Sequence, residues 1–359
     1  MKLKPVVIAA SIALATAASA QGTGPVKIGF ITDMSSLYAD IDGPAGAEMV
    51  KWAAEDFGGK VLGRPIEVLS ADHQNKADVA SSKAREWIDK DGLSMLVGGT
   101  NSGTSLAMAT VAQEKKLPFI SIGAGSARLT NEACTPYTVH YAYDTVALAK
   151  VAGNALVKGG AKNWFFLTAD YAFGHSLEAD ATSVVKANGG AVAGAVRHPL
   201  NASDFSSFLL QAQTSKAQVL ALANAGGDFT NAMKAAREFG INKSMKIAGL
   251  LVFINDVHSL GLANTEGLQL ADSWYWNQDD ASRKFAQRFF DKYKRMPSSI
   301  QAANYSATTT YLKAVQAAGT TDADKVMATM KSTKVNDFYS KGQIRADGRM
   351  IHDMYLYQV

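Results

Sequence analysis

The feature that most constrains the fold is a regular alternation of short apolar runs with longer amphipathic segments. The first run is VKIGFI at 26–31, and PIEVLS at 65–70, LSMLVGG and LPFISIG follow it, each separated from the next by apolar residues at helical spacing. Strands that are apolar along most of their length are typical of a parallel sheet covered on both faces. We therefore predict an α/β fold built on a doubly wound parallel sheet.

A second series of the same kind starts near Tyr143. Its predicted strands are NWFFLT, AVAGAVR, AQVLALAN, MKIAGLL and EGLQLA. Two series of comparable length predict two doubly wound domains. After Trp274 come helical segments at about 282–294, 300–318 and 323–331, and then the strand-like MIHDMYLYQV. Those helices have no sheet of their own to cover, so the chain is predicted to cross between the domains more than once.

The N-terminus has the pattern of an export signal. Lys2 and Lys4 precede an apolar run from Val6 to Ala18, and small residues follow it. We predict a signal peptide over residues 1–20, cut after Ala20. The alternative is a membrane anchor, which needs about 20 apolar residues, more than this run offers.

Composition excludes several functional classes. Lys and Arg total 36 against 32 Asp and Glu, a balance that does not favour a nucleic-acid partner. The single cysteine, Cys134, excludes an intramolecular disulfide; we expect it to be a small buried residue, the alternative being a free thiol in an oxidising compartment.

Motifs for catalysis or metal binding are not found in the sequence. GxSxG, HExxH and CxxC are absent, and the histidines are scattered, so each is expected on the surface or behind a site. These histidines are His73, His140, His175, His198, His258 and His352. We therefore predict a protein that is not an enzyme and that has no cofactor and no metal.

Two loops at predicted strand ends are rich in small and hydroxylic residues. They are GGTNSGTS at 98–105 and GAGSARLT at 123–130. The carboxyl ends of parallel strands form the ligand crevice, and helix N-termini there offer free N–H groups to an anion. Neither loop has a P-loop lysine, and the second lacks the third glycine of GxGxxG, so a carboxylate site is favoured over a phosphate site. The alternative is that these residues only form turns and caps.

Aromatic side chains also follow predicted strands. They are Tyr38, Tyr171, Phe173 and Tyr275, the last next to Trp276. Taken one by one, ordinary packing under loops explains them equally well. As a set around one cleft they predict a ligand with an apolar body.

Several segments together resemble a known family. VKIGFITDMSS, GAEMVKWAAED, LVGGTNSGTS, PFISIGAGSARLT and TADYAFGHS occur in the order seen in periplasmic binding proteins of the branched-chain amino acid type, the solute receptors of ABC importers. The resemblance implies a type I periplasmic binding fold with three hinge crossings. Its first lobe is expected at 26–141 plus 274–342 and its second at 142–273 plus 343–359. It also implies a periplasmic monomer that closes on a small molecule and delivers it to a membrane permease.

The resemblance further implies a set of ligand-binding residues. A hydroxyl contact to the ligand carboxylate is expected from Ser102, with Asn101 before it. The loop Ala124, Gly125 and Ser126 is expected to add backbone N–H groups. Phe173 stands where amino acid receptors commonly have a tyrosine, and Asn224 to Asp228 forms another loop that faces the ligand.

Two departures from the family pattern bear on the ligand. Leu251 stands where receptors of branched-chain amino acids usually have the acid that binds the ammonium, and Ala225 and Gly226 replace tyrosines. An unpaired buried ammonium costs several kcal/mol, so an α-amino acid is disfavoured unless Asp228 substitutes.

We hypothesise that the ligand is a hydrophobic monocarboxylate, benzoate-like or phenylpropenoate-like. Its carboxylate would lie at Asn101, Ser102 and 124–126, and its ring among the aromatic residues Tyr38, Phe173 and Tyr275. Tyr171 or Asn224 would meet a distal hydroxyl. The alternatives are an amino acid receptor, an exported enzyme with the same cleft, and a sensor domain.

Overall fold

The structure is a computed structural model, and it describes residues 24–359. The predicted signal peptide, residues 1–20, lies outside this part of the chain. Within 24–359, no helix is both long enough and apolar enough to cross a lipid bilayer.

Strands and helices alternate along most of the chain. The strands are β1 Val26–Thr32, β2 Lys60–Val61, β3 Arg64–Asp72, β4 Met95–Gly98, β5 Phe119–Ser121, β6 Thr138–His140, β7 Asn163–Ala169, β8 Ala191–His198, β9 Val219–Ala223, β10 Lys246–Gly249, β11 Gln269–Asp272, β12 Lys334–Asn336, β13 Lys341–Ile344, β14 Met350–Ile351 and β15 Tyr355–Gln358. The helices are α1 Gly43–Asp56, α2 Ala77–Asp91, α3 Ser102–Lys115, α4 Thr145–Lys158, α5 Ala172–Ala187, α6 Ser206–Thr214, α7 Gly226–Glu238, α8 Ile254–Leu260, α9 Leu262–Thr265, α10 Asp280–Tyr293, α11 Ser299–Ala318 and α12 Ala323–Ser332.

Two separate parallel sheets form the two lobes. The sheet of lobe one has the order β2-β3-β1-β4-β5-β6, and it is parallel except for the β2-β3 hairpin. The sheet of lobe two has the order β10-β9-β7-β8 and is parallel throughout. Beside it, β11 pairs antiparallel with β15. The predicted α/β class with two doubly wound lobes is confirmed.

The helices after Trp274 pack on lobe one. α11 lies against α1, and α12 lies against α11. α11 begins with a capping box in which Ser298 and Gln301 bond each other's backbone N–H groups at 3.1 and 3.0 Å. Most of its length is buried, as expected for a helix between other helices.

The sequence did not predict the small antiparallel sheet that β12, β13 and β14 form beside α12. β14 lies at the start of the strand-like MIHDMYLYQV, but β12 and β13 are short and partly polar and lack the apolar run that marks the other strands. The predicted change of lobe between residues 342 and 343 falls inside β13.

The expectation for Cys134 was wrong, because its side chain is exposed. It lies in the irregular loop before β6, where no strand or helix turns it inward, and its Sγ lies 3.3 Å from the carbonyl oxygen of Asp347.

Of the histidines, His175 and His258 are exposed, whereas the other side chains are partly or fully buried. The fully buried ones are His73, His140 and His198.

Candidate functional site

The two lobes touch each other directly where the carboxyl ends of their strands meet. The hydroxyl groups of Tyr38 in lobe one and Tyr171 in lobe two lie 2.6 Å apart. Ser126 and Ser176 pair their hydroxyl groups at 2.8 Å in the same way.

Backbone groups of lobe one complete this contact. The N–H of Gly227 donates to the Leu37 carbonyl at 3.3 Å, and the Asn255 side chain donates to the Asp40 carbonyl at 3.1 Å. The structure therefore shows the lobes closed on each other.

The predicted carboxylate site is formed by the start of α3 and the loop after β5. The Ser102 hydroxyl oxygen accepts the N–H of Ser126 at 3.1 Å, and both residues are fully buried. Among the hydrogen bonds of residues 24–359, none uses the N–H groups of Ala124 and Gly125. Two free N–H groups beside a hydroxyl at a helix N-terminus suit an anion.

Asn101 has another role in the structure. Its side-chain oxygen accepts the N–H groups of Gly103 and Thr104 at 2.8 and 3.2 Å, so that Asn101 is the N-cap of α3. The cap uses only the oxygen of the amide, whereas a contact to a ligand carboxylate would need the Asn101 Nδ2 as donor. The helix cap was the alternative that the sequence left open for this loop.

His140, which the sequence did not single out, supports the same loop. Its Nε2 lies 2.6 Å from the carbonyl oxygen of Ala124. Burial, with a smaller contribution from Arg349, lowers the pKa of His140 to about 4, so the ring is neutral at pH 7. Since a carbonyl oxygen only accepts, Nε2 carries the proton, and the bond holds the Ala124 peptide in place.

Asp33 orders the loop that carries Tyr38. Its carboxylate accepts the N–H of Ser36 at 3.0 Å, the N–H of Tyr38 at 2.8 Å and the amide of Asn75 at 2.7 Å. Several bonds to one buried carboxylate fix the loop. Asp33 follows β1 directly, and this position was the only signal in the sequence that could have identified it.

Aromatic rings cover the carboxylate site. An ideal Cβ on Gly125 would lie 2.7 Å from the Phe173 ring and 3.1 Å from the Tyr143 ring, so both rings lie on this glycine. Tyr143 donates to the Gly123 carbonyl at 2.6 Å, and its ring centroid is 6.2 Å from that of Phe253. Tyr143 and Phe253 were not among the predicted site residues.

Lobe two contributes the loop after β9. Gly226 has φ +57°, and a Cβ there would lie 2.7 Å from the Leu37 carbonyl and 3.0 Å from the Tyr38 ring, so glycine is required for the lobes to meet. Ala225 and Leu251 are buried in the same apolar cluster as Tyr38 and Phe253.

Asp228, the candidate substitute for the missing acid, is engaged within its own lobe. Its two carboxylate oxygens accept the N–H groups of Asn201 and Ala202, each at 3.1 Å. Burial raises the pKa of Asp228 to about 6, and these two bonds oppose the shift.

Tyr275 lies apart from the other predicted residues. Its ring centroid is 5.4 Å from that of Trp276 and 5.5 Å from that of Tyr357. It lines a groove of about 470 Å³ together with Asp40 and Phe290. None of the ring contacts of residues 24–359 joins Tyr275 to Tyr38 or Phe173.

A metal centre finds no support in residues 24–359, where no three or more His, Cys, Asp or Glu side chains are grouped to hold an ion.

Two parallel-sheet lobes that close on a cleft with free N–H groups and aromatic walls have the architecture of a solute-binding receptor. The chain belongs to the periplasmic binding protein family, which its residues 25–359 match. The resemblance inferred from the sequence motifs is therefore confirmed.

Solved structures support the same conclusion. A periplasmic binding protein from Burkholderia mallei is 70% identical, with a TM-score of 0.93 over 94% of this chain and 90% of that one. A branched chain amino acid ABC transporter periplasmic ligand-binding protein from Burkholderia xenovorans is 41% identical, with a TM-score of 0.82 over 93% of this chain and 90% of that one. A solute binding protein of an ABC transporter from Rhodopseudomonas palustris, solved with 3,4-dihydroxy benzoic acid, is 24% identical, with a TM-score of 0.85 over 93% of both chains, and shows the fold alone.

A curated relative is the Leu/Ile/Val-binding protein homolog 6 of Brucella melitensis. It is 26% identical over 67% of this chain, and the match spans 62% of the relative's own length.

Proposed function

We propose that the protein is the periplasmic receptor of an ABC uptake system for a small hydrophobic carboxylate, with an aromatic acid as the favoured ligand. It captures the acid between its lobes, delivers it unchanged to an inner-membrane permease, acts as a monomer and needs no cofactor. The observation that carries this proposal is the pairing of a buried hydroxyl and two free N–H groups in lobe one, from Ser102, Ala124 and Gly125, with an apolar surface around Leu251 in lobe two.

The carboxylate binds at the start of α3. Ser102 donates its hydroxyl proton, since its oxygen already accepts the Ser126 N–H. Ala124 and Gly125 donate their free N–H groups. Bonds from N–H and O–H donors to a carboxylate are about twice as strong as neutral ones, so this site provides the orientation of the ligand.

The apolar body of the ligand lies against the rings of Phe173, Tyr143 and Phe253, with Tyr38 and Tyr171 closing the cleft. Leu251 offers no partner to an ammonium, and the Asp228 carboxylate is held within lobe two by the N–H groups of Asn201 and Ala202. An α-amino acid would therefore lose more on desolvation than the site returns. The groove position of Tyr275 favours a role at the rim between the lobes over direct ligand contact.

The export signal and the lobe boundaries belong to the same proposal. Cleavage after Ala20 releases the receptor into the periplasm. Lobe one comprises residues 26–141 and the segment from 274, and lobe two begins at 142. Because β13 and β14 pair with β12 beside α12, we place the third crossing after Ile351 rather than at 342.

The test is a thermal-shift and calorimetric screen of ligand-free protein with benzoate, cinnamate and leucine. Ligand at 100 times its Kd stabilises the folded state by about 2.7 kcal/mol, which a melting curve resolves. We expect benzoate or cinnamate to raise Tm and leucine to leave it unchanged. Leucine binding tightly while the aromatic acids are inert would favour the amino acid receptor and refute this assignment.

A matched pair of variants tests the anion site. Ser102→Ala should weaken the binding of the acid, whereas Ser207→Ala, on the exposed face of α6, should not. Mass spectrometry of the acid after long incubation tests the alternative of an exported enzyme, since a receptor returns its ligand unchanged.

A further inference from the structure

A buried histidine fixes the orientation of one amide at the edge of lobe two. His198 ends β8, is fully buried, and has its Nδ1 2.8 Å from the carbonyl oxygen of Pro199. A carbonyl oxygen has no proton to give, so Nδ1 carries the hydrogen. Burial lowers the pKa of His198, which keeps the ring neutral at pH 7, and its Nε2 therefore presents a lone pair.

This lone pair determines how Asn224 is oriented. The Asn224 Nδ2 lies 3.1 Å from the His198 Nε2, and only the NH₂ side of the amide can donate to it. The Asn224 Oδ1 must then face the other way. It is fully buried, and it has no hydrogen-bond partner among residues 24–359.

Asn224 lies close to the contact between the lobes. It follows β9 at the carboxyl end of the sheet, and its side chain reaches across the end of β7 to His198. Two residues later, Gly226 touches Tyr38 of lobe one. A buried acceptor without a donor at this edge costs free energy unless a ligand or a water satisfies it.

We propose that the Asn224 Oδ1 accepts a hydrogen bond from a donor at the distal end of the ligand, a phenolic hydroxyl or an N–H, and that His198 is the positioning residue that makes this atom an acceptor. The inference rests on the proposed function and narrows its ligand class to aromatic acids with a distal donor. An acid without that donor leaves the buried oxygen unpaired.

Three acids test this on the full mature protein by calorimetry at pH 7: 4-hydroxybenzoate, benzoate and 4-methoxybenzoate. The hydroxy acid should bind about tenfold or more tightly than benzoate, and the methoxy acid, which has an acceptor but no donor, should bind no better than benzoate. Equal affinities for the hydroxy acid and benzoate would overturn the inference and leave the proposed function intact. No binding of any of the three acids would overturn both.

Variants separate this role from simple packing. Asn224→Leu should bring the ratio of the hydroxy acid and benzoate affinities to about one while benzoate still binds, and Asn242→Leu, at an exposed asparagine, should keep the wild-type ratio. A preference that survives in Asn224→Leu refutes the assignment.

The role of His198 has its own spectroscopic signature. The ¹⁵N spectrum of the ligand-free protein should show His198 protonated at Nδ1 and unprotonated at Nε2. The opposite tautomer would place the Asn224 oxygen towards His198 and overturn the inference, even if Asn224→Leu fails to fold.

Discussion

Adding one methyl group at Gly125 should weaken ligand binding without weakening the fold of the unliganded protein. In Gly125→Ala the new Cβ would lie 2.7 and 2.9 Å from two atoms of the Phe173 ring, closer than real Cβ atoms approach other heavy atoms. Phe173 is 2% exposed, so its ring cannot turn out into solvent. Gly125 belongs to lobe one and Phe173 to α5 of lobe two, so the clash exists only when the lobes are closed.

The magnitude follows from overpacking. Forcing an extra methyl group into a packed apolar contact costs about 1–3 kcal/mol. If the whole cost falls on closure, the affinity for the ligand drops about 5- to 150-fold. The 3.1 Å contact with the Tyr143 ring is tight but requires only a small shift, so it adds little to the free energy of unfolding.

The assay is calorimetric titration of the best aromatic acid, together with the Tm of ligand-free protein and X-ray scattering with and without ligand. Gly24→Ala is the control, since no atom lies within 4 Å of its added Cβ. Phe173→Leu in the Gly125→Ala background should recover part of the lost affinity. Two results would show that this contact does not belong to the closed state alone. One is wild-type affinity in Gly125→Ala, and the other is a Tm that falls as much without ligand as with ligand.

Further predictions follow from other contacts. Tyr171→Phe removes the hydroxyl that bonds Tyr38 across the cleft, and calorimetry should show a loss of about 0.5–1.5 kcal/mol in ligand binding. Arg349→Met leaves the carboxylate of Asp144 without its partner at 2.6 Å, so urea unfolding should show that the free energy of unfolding falls by about 3–5 kcal/mol. The double variant with Asp144→Asn should lose less than Arg349→Met alone, because it leaves no unpaired charge. Burial raises the pKa of Asp42 to about 7, so the folded state binds more protons than the unfolded state between about pH 4 and 7. The free energy of unfolding therefore falls as the pH rises through this range, by at most about 1.4 kcal/mol per pH unit. Urea unfolding across that range should give a flatter profile for Asp42→Asn than for the wild type; identical slopes would contradict the cause.

The sequence predicted the two parallel sheets because their central strands are apolar along most of their length. β7 and β9 are buried along almost their whole length, and such strands are visible as continuous runs. The short strands β12 to β14 have no such run. They are stabilised by pairing with one another beside α12, and the sequence gives no sign of that pairing.

For the site residues, what the sequence could predict depended on their position relative to the strands. Ser102 and the loop 123–126 follow strands and precede helical turns, and the rule about carboxyl ends of parallel strands is sufficient to predict that they lie at this edge of the sheet. His140 acts on Ala124, which is 16 residues away, through a single bond that has no periodic signature in the sequence. The same rule does not say on which side of the sheet edge a loop leaves, and Tyr275 accordingly lies in a groove with Trp276 and Tyr357.

The distribution of contacts between the lobes explains how a ligand controls closure. The proposed anion site, with Ser102 and the N–H groups of Ala124 and Gly125, belongs to lobe one, so on the proposed function a carboxylate would bind there before the lobes meet. Apart from the ion pair of Arg349 and Asp144, the direct bonds between the lobes described above are neutral, such as Tyr38 to Tyr171 and Ser126 to Ser176, and each of these is worth only about 0.5–1.5 kcal/mol. Closure then depends on what the ligand adds on lobe two, because only differential binding shifts the equilibrium. On the proposed function, changes in lobe one should therefore alter the capture of any carboxylate, whereas changes at Leu251 or Phe173 should alter which carboxylate closes the receptor.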